Sequence, residues 1–198
     1  IGPYKGGIRL QYGGKFKYWT VRDGKLYNEE PEFVPPFDYW QRGGLNVTLA
    51  SISNSLSVTG KLGLRIQADI LLKDADLAQF DAVMLPGGGL GVKNLAASAV
   101  VEATIKQFDA QGKWLFAICA APLVLSKAGL LKDRKCTCFP GCEGDLVCKQ
   151  YLTDRVVVDG KVITSCGAGS SEEFAFECLA QVAGREICEK IRKQVVAR

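Results

Sequence analysis

Histidine is absent from all 198 residues. With it go every Cys-His and Ser-His dyad and every imidazole metal site, so proton transfer in any chemistry here falls to carboxyl groups, thiols or water. Long apolar runs are missing as well. None approaches the roughly 18 residues that span a bilayer, and no charged-then-apolar leader marks secretion. A soluble, cytoplasmic protein with no membrane partner is the expectation. Charge of one sign is not in large excess: 25 basic against 21 acidic residues leave +4. The basic residues form no stripe, which argues against nucleic acid as a binding partner. Repeats and low-complexity linkers are lacking too. The expected organisation is a tail over residues 1–15 and a single domain over 16–198, long enough to bury a full core.

Cysteine is plentiful, with eight residues. An even number raises the question of a disulfide framework. The apolar runs build a core without such staples, so the cysteines are read as mostly reduced and buried in an intracellular protein. Cys136, Cys138, Cys142 and Cys148 cluster with the spacing C-x-C-x3-C-x5-C. Common zinc sites use paired C-x2-C knuckles. The cluster is therefore assigned no metal and read as loosely packed or redox-active thiols.

From residue 44 onward strand and helix patterns alternate. Strands are expected at 45–50, 81–85 and 114–118. Between the last two lies a helix at 99–109, with Val100, Ala103, Thr104 and Gln107 at helical spacing. A second helix follows Cys119 and stops at Gly129, a favourable position just past a helix end. Phe16 to Val21 reads as an edge or first strand. Val156 to Ile163 carries Asp159-Gly160 between two β-branched runs, a strong hairpin signal. Ser170 to Glu173 reads as a capping box ahead of a helix burying Phe174, Cys178 and Leu179, and a last surface helix covers 184–198. Apolar strands alternating with helices imply a mostly parallel sheet covered on both faces, an α/β three-layer sandwich with a late hairpin.

Two stretches carry chemistry. In Ala117-Ile118-Cys119-Ala120-Ala121-Pro122 a strand ends and a helix begins. Small residues flank the cysteine, as in a nucleophile elbow, where a tight turn pushes the reactive side chain outward, and proline suits a first helical turn. A free thiol with pKa about 8.5 is only a few per cent ionised at neutral pH. A helix N-terminus lowers that by one unit or so, so a strong nucleophile needs a further hydrogen-bond donor. The second stretch, Leu85-Pro86-Gly87-Gly88-Gly89, is a glycine turn at a strand's carboxyl end. In open α/β sheets ligands bind there, and exposed backbone N–H groups suit an oxyanion.

Together with Gly91-Val92-Lys93-Asn94-Leu95, Thr137-Cys138-Phe139-Pro140-Gly141 and Val158 to Ser165, these stretches resemble the ThiJ/PfpI superfamily in its DJ-one branch, that of the Parkinson-associated protein deglycase. The similarity runs from about residue 28 to the end. It implies a flavodoxin-like sandwich, a homodimer, and Cys119 as the catalytic nucleophile. Asn28-Glu29-Glu30-Pro31-Glu32 matches the family's Glu-Glu-x-Glu segment and places Glu32 against the thiol. Two adjacent anions are costly, so a protonated Glu32 would donate to the sulfur and lower its pKa. The resemblance also maps the Gly88 and Ala120 amides, beside Gly89, onto the oxyanion pocket, and Arg42 near pocket and dimer seam. It implies no cofactor, a small aldehyde or glycated substrate, a glyoxalase III-like lyase or deglycase hydrolase protecting against oxidative stress, and nucleic acid only as a repair substrate. The alternative is a redox sensor or chaperone whose cysteine is oxidised to a sulfinic acid without significant turnover. Departures are Phe139 where many relatives have histidine, Cys166 and Ala168 in place of an arginine and a proline, and Pro31, Pro35 and Pro36 in the first helix.

Overall fold

The computed structural model describes residues 15–20 as backbone, and residues 30–60 and 63–197 in full. Residues 1–14 of the expected tail, Val21 and Asn28-Glu29 lie outside the described residues. In chain order the elements begin β1 (Lys15–Thr20), α1 (Glu30–Arg42), β2 (Asn46–Ser51), β3 (Ser57–Thr59), β4 (Arg65–Gln67), β5 (Ile70–Leu71) and β6 (Ala82–Leu85). Next come α2 (Gly89–Ala97), α3 (Ala99–Ala110), β7 (Trp114–Ile118), α4 (Pro122–Lys127), β8 (Lys135–Cys136) and β9 (Gln150–Tyr151). The chain closes with β10 (Val156–Asp159), β11 (Val162–Ser165), α5 (Ser171–Ala183) and α6 (Arg185–Gln194).

Seven strands form one sheet in the order β10-β11-β7-β6-β1-β2-β5. All neighbours are parallel except the β10–β11 hairpin, whose turn residue Gly160 has φ 59. β1 is an interior strand, paired with β2 on one side and β6 on the other. It is the first strand the sequence suggested and not an edge. Every residue of β6 and β11 is buried, as strands covered on both faces require.

The chain leaves β1 in one direction, through α1 to β2, and leaves β6 in the other, through α2 and α3 to β7. Right-handed crossovers therefore put α1 and α2–α3 on opposite faces. α5 packs on α1 and α6, while α2 packs on α3 and α4. The result is the expected flavodoxin-like three-layer arrangement. The core centres on Phe116, whose ring lies 5.6 Å from Trp40 and 6.4 Å, edge-on, from Phe174. The Trp40 indole N–H donates to the Ala175 carbonyl at 2.7 Å, which satisfies its one polar atom and fastens α1 to α5. No helix among the described residues is long and apolar enough to cross a membrane.

Three local expectations need correction. The buried stripe of α3 is Val101, Thr104, Ile105 and Phe108; Val100 and Ala103 face solvent. The capping box at Ser170 does not form, because its hydroxyl serves the preceding turn: it lies 2.7 Å from Ser165 Oγ, accepts from Gly167 N–H and donates to the Gly167 carbonyl. Third, α1 runs through Pro35 and Pro36. Neither proline can donate to the turn before it, yet the helix persists because it buries Phe33, Pro36 and Trp40 against the sheet.

Candidate functional site

The carboxyl ends of β6 and β7 and the first turn of α1 meet at one point, where the sheet's winding reverses, the usual place for a site in such a fold. Ile118 ends β7, and Cys119 follows with φ 63. That left-handed backbone is strained for a residue with a Cβ. Two hydrogen bonds hold it: the Cys119 N–H donates to the Ser165 carbonyl, and the Cys119 carbonyl accepts from Phe139 N–H, each at 2.8 Å. Buried Ala117, Ala120 and Ala121 leave the turn its room. The elbow is thus present, with one difference from expectation. The helix starts three residues later, at Pro122, and is six residues long. So short a helix has little macrodipole, and the dipole contributes little to the thiol.

Glu32 lies in the first turn of α1 and is wholly buried, not the solvent-facing acid that a helix start alone would suggest. Its Oε2 accepts from the Gly87 N–H at 2.6 Å. Its carboxyl group also hydrogen-bonds the Cys119 thiol, which receives the amides of Gly88 and Ala120 as well. The Cys119 side chain is 8% exposed. Burial, then the Glu32 charge and hydrogen bond, push the thiol up to about 12, and the two amides pull it down without prevailing. The lowered thiol expected from the helix dipole is therefore not found while Glu32 is ionised. A thiolate beside an ionised Glu32 would put two anions side by side, so the thiol keeps its proton there.

Gly87 is the residue that sequence reasoning missed. A Cβ there would sit 2.6 Å from Cys119 Cβ, 2.8 Å from Glu32 Oε2 and 2.9 Å from the Ile118 carbonyl oxygen. Only glycine lets β6, the elbow and the carboxyl group approach so closely. Its signal was the run of three glycines, from which spacing alone could not select one. Gly88 caps α2 with φ 88. Gly89 opens α2, and a Cβ on it would meet nothing within 4 Å. Ser165, whose carbonyl holds the elbow, closes one of the matching stretches but was given no role there.

Arg42 does not join the group. It ends the helix that holds Glu32 in its first turn, about 15 Å of helical rise away, and it pairs with Asp38 at 2.7 Å on the surface. Phe139 is 48% exposed, and its ring stands 3.4 Å from where a Cβ on Gly167 would lie. No group of three or more His, Cys, Asp or Glu side chains suited to a metal occurs among the described residues. All eight cysteines are free. A separate cavity of about 320 Å³, lined by Arg155, Glu173, Arg185 and Arg192 among others, lies along α5 and α6 and includes none of these site residues.

A model of the DJ-1/PfpI family matches residues 25–181. The chain is 37% identical over 175 residues to Protein DJ-1 homolog B of Arabidopsis thaliana, spanning 87% of this chain and 40% of that protein. It is 35% identical over 167 residues to the glutathione-independent glyoxalase DJR-1.2 of Caenorhabditis elegans, covering 83% of this chain and 88% of the relative. The solved structure of oxidized Toxoplasma gondii DJ-1 superposes with TM-score 0.86 at 31% identity, over 93% of this chain and 98% of that one.

Proposed function

The chain belongs to the DJ-1/PfpI family, and from that premise we propose that it is a cysteine-dependent enzyme acting on reactive carbonyls, of glyoxalase or deglycase type. The observation that carries the reading is the buried Cys119–Glu32 pair with the amides of Gly88 and Ala120 on the same sulfur. Such a pair can deliver a nucleophile without a histidine. As the sulfur attacks an aldehyde carbon, the thiol proton passes to Glu32, so the anion forms only when it is consumed. The carbonyl oxygen becomes an oxyanion, and preorganised N–H groups in a dry site suit that developing charge.

With methylglyoxal the first product is a hemithioacetal. Glu32 then moves a proton from the former aldehyde carbon to its neighbour, oxidising one carbon and reducing the other. Water releases lactate and restores the thiol. No external oxidant, reductant or cofactor enters. The relative named as a glutathione-independent glyoxalase supports this choice of substrate. The test is lactate formation from methylglyoxal by the full chain. Cys119→Ser abolishes it, and Glu32→Gln, which keeps an acceptor for Gly87 N–H, lowers it by about 10²–10⁴-fold as expected for a lost general base. Lactate formation by Cys119→Ser at the parent rate overturns the assignment.

One observation favours a second reading. The structural relative from Toxoplasma gondii is described as oxidized, and a sulfur ringed by two amides and a carboxyl group suits a sulfinic acid equally well. On this reading peroxide adds oxygen to Cys119, and the reduced protein shows no aldehyde turnover. A homodimer in the cytoplasm accompanies either reading as a proposal.

A further inference from the structure

The elbow has an apolar neighbour that the chemistry above does not use. Phe139 is 48% exposed. A single apolar side chain in water is ordinary; what sets this one apart is how it is held. Its N–H donates to the Cys119 carbonyl at 2.8 Å, and its carbonyl accepts from Cys142 N–H at 3.0 Å and from the Cys138 thiol at 3.5 Å. By standard bond lengths the first of these bonds keeps the Phe139 Cα within about 7 Å of the Cys119 Cα. The ring is placed as well. Its Cδ2 and Cε2 lie 3.4 and 3.9 Å from where a Cβ on Gly167 would stand, so it rests beside that backbone. Gly167 is two residues past Ser165, whose carbonyl takes the Cys119 N–H. The two chain segments that hold the elbow thus hold the ring also. Charged side chains flanking it are engaged elsewhere. Glu143 accepts from Gly141 N–H at 2.6 Å, and Arg155 donates to Glu173 and to the Gly169 carbonyl, each at 2.5 Å.

We infer that Phe139 seats the side group of the substrate, and that the site prefers α-oxoaldehydes bearing an aromatic group to the small methylglyoxal. The inference deepens the reactive-carbonyl reading and rests on it. With the aldehyde carbon bonded to the sulfur, a phenyl group on the neighbouring ketone carbon reaches the exposed ring, whereas a methyl group falls short. Offset or edge-on contact between the rings adds to the apolar area removed from water. Apolar contacts of about this size change kcat/KM by roughly 10–200-fold. The contact is the same before and during reaction, so it acts through KM and leaves kcat in place. The chemistry is unchanged. The thiol adds to the aldehyde carbon of phenylglyoxal, a proton moves from that carbon to its neighbour, and water releases mandelate and restores the thiol, with no oxidant or reductant.

The test compares initial rates of mandelate formation from phenylglyoxal and of lactate formation from methylglyoxal by the full chain. The expected kcat/KM for phenylglyoxal is about tenfold or more above that for methylglyoxal. Phe139→Ala keeps the backbone N–H on the elbow. In it the ratio falls about tenfold or more, through KM for phenylglyoxal, while methylglyoxal turnover stays within about twofold. Phe139→Trp restores a ring and keeps the ratio. Val100→Ala, which trims an exposed side chain of α3, leaves both substrates unchanged. A ratio unmoved in Phe139→Ala, or a loss shared equally by both substrates, overturns the seat and leaves the carbonyl reading standing. If the parent turns over neither substrate, the carbonyl reading falls and alkylation of Cys119 decides the seat. N-benzyl-2-chloroacetamide then labels Cys119 about tenfold faster than 2-chloroacetamide, each rate taken relative to glutathione, and Phe139→Ala removes the difference. Equal relative rates in the parent overturn the seat.

Discussion

Replacing Gly87 with alanine is the sharpest perturbation of the site, because one methyl group meets all three of its parts. The new Cβ would lie 2.6 Å from Cys119 Cβ and 2.8 Å from Glu32 Oε2, where ordinary contacts are a full ångström longer. Overpacking of this kind costs about 1–3 kcal/mol. If the loop backs away, the 2.6 Å bond from Gly87 N–H to a buried carboxyl group weakens, and a hydrogen bond to a charged partner is worth about 1.5–3 kcal/mol. Against this stands a gain of about 0.4–1 kcal/mol from a less flexible unfolded chain. The net loss is about 3 kcal/mol, or about 6–12 °C in Tm for a chain of this size. Gly89→Ala is the matched control: its Cβ meets nothing within 4 Å, and removing a glycine from a helix start raises or leaves Tm. Differential scanning fluorimetry reads both, and iodoacetamide labelling of Cys119 reads the site. Turnover in Gly87→Ala falls tenfold or more, since a displacement of about 1 Å can cost 10²-fold. A Gly87→Ala protein with parental Tm and labelling, or a Gly89→Ala protein that falls as far, refutes the reasoning.

Alkaline pH provides a second check. Cys119, Cys136 and Cys138 are each pushed up to about 12, in every case by burial first. Between the unfolded thiol value near 8.5 and that limit the folded state holds protons that the unfolded state has lost, so stability falls as pH rises, by up to about 1.4 kcal/mol per pH unit for each thiol. Urea midpoints measured from pH 7 to 10.5 show the decline, Cys119→Ser makes it shallower, and a flat profile contradicts the burial of these groups. Arg42→Ala leaves methylglyoxal turnover within twofold and the urea midpoint unchanged within error, because it removes only an exposed pair with Asp38; a tenfold loss of turnover would place Arg42 in the site after all. Trp40→Phe retains the ring but loses the indole donor to the Ala175 carbonyl, and urea unfolding reads a loss of about 1–3 kcal/mol for the orphaned acceptor.

Elements were legible where local chemistry decides them. Asp159-Gly160 specified its hairpin because the turn needs a residue at positive φ, and Gly160 supplies it at φ 59. β6 and β7 were legible as continuous apolar runs because both faces are covered. What failed was decided across the fold. The α3 stripe was displaced because Val101, Ile105 and Phe108 meet β6 and β7, and a helix of alternating Ala, Val and Thr offers more than one apolar face. Ser170 was drawn from its capping role by Ser165, on a strand that local reading treats separately. The seat of β1 between β6 and β2 depends on pairing with two strands far along the chain.

The protonation of the site shows the same limit in a more consequential form. An elbow read locally offers a helix N-terminus, and a helix N-terminus predicts a lowered thiol. The fold shortens that helix to six residues, buries the sulfur, and sets a carboxyl group against it from a helix 87 positions earlier in the chain, Glu32 to Cys119. Burial then outweighs the amides, and the thiol keeps its proton beside the carboxyl group. On the proposed mechanism Glu32 takes the part that a histidine would otherwise play. A histidine base beside a thiol gives an ion pair that persists at neutral pH, whereas on the proposed mechanism the carboxyl group takes the thiol proton only at the moment of attack. Of the three amides at the pair, the glycine turn after β6 supplies two, Gly87 to the carboxyl group and Gly88 to the sulfur, and Ala120 supplies the third.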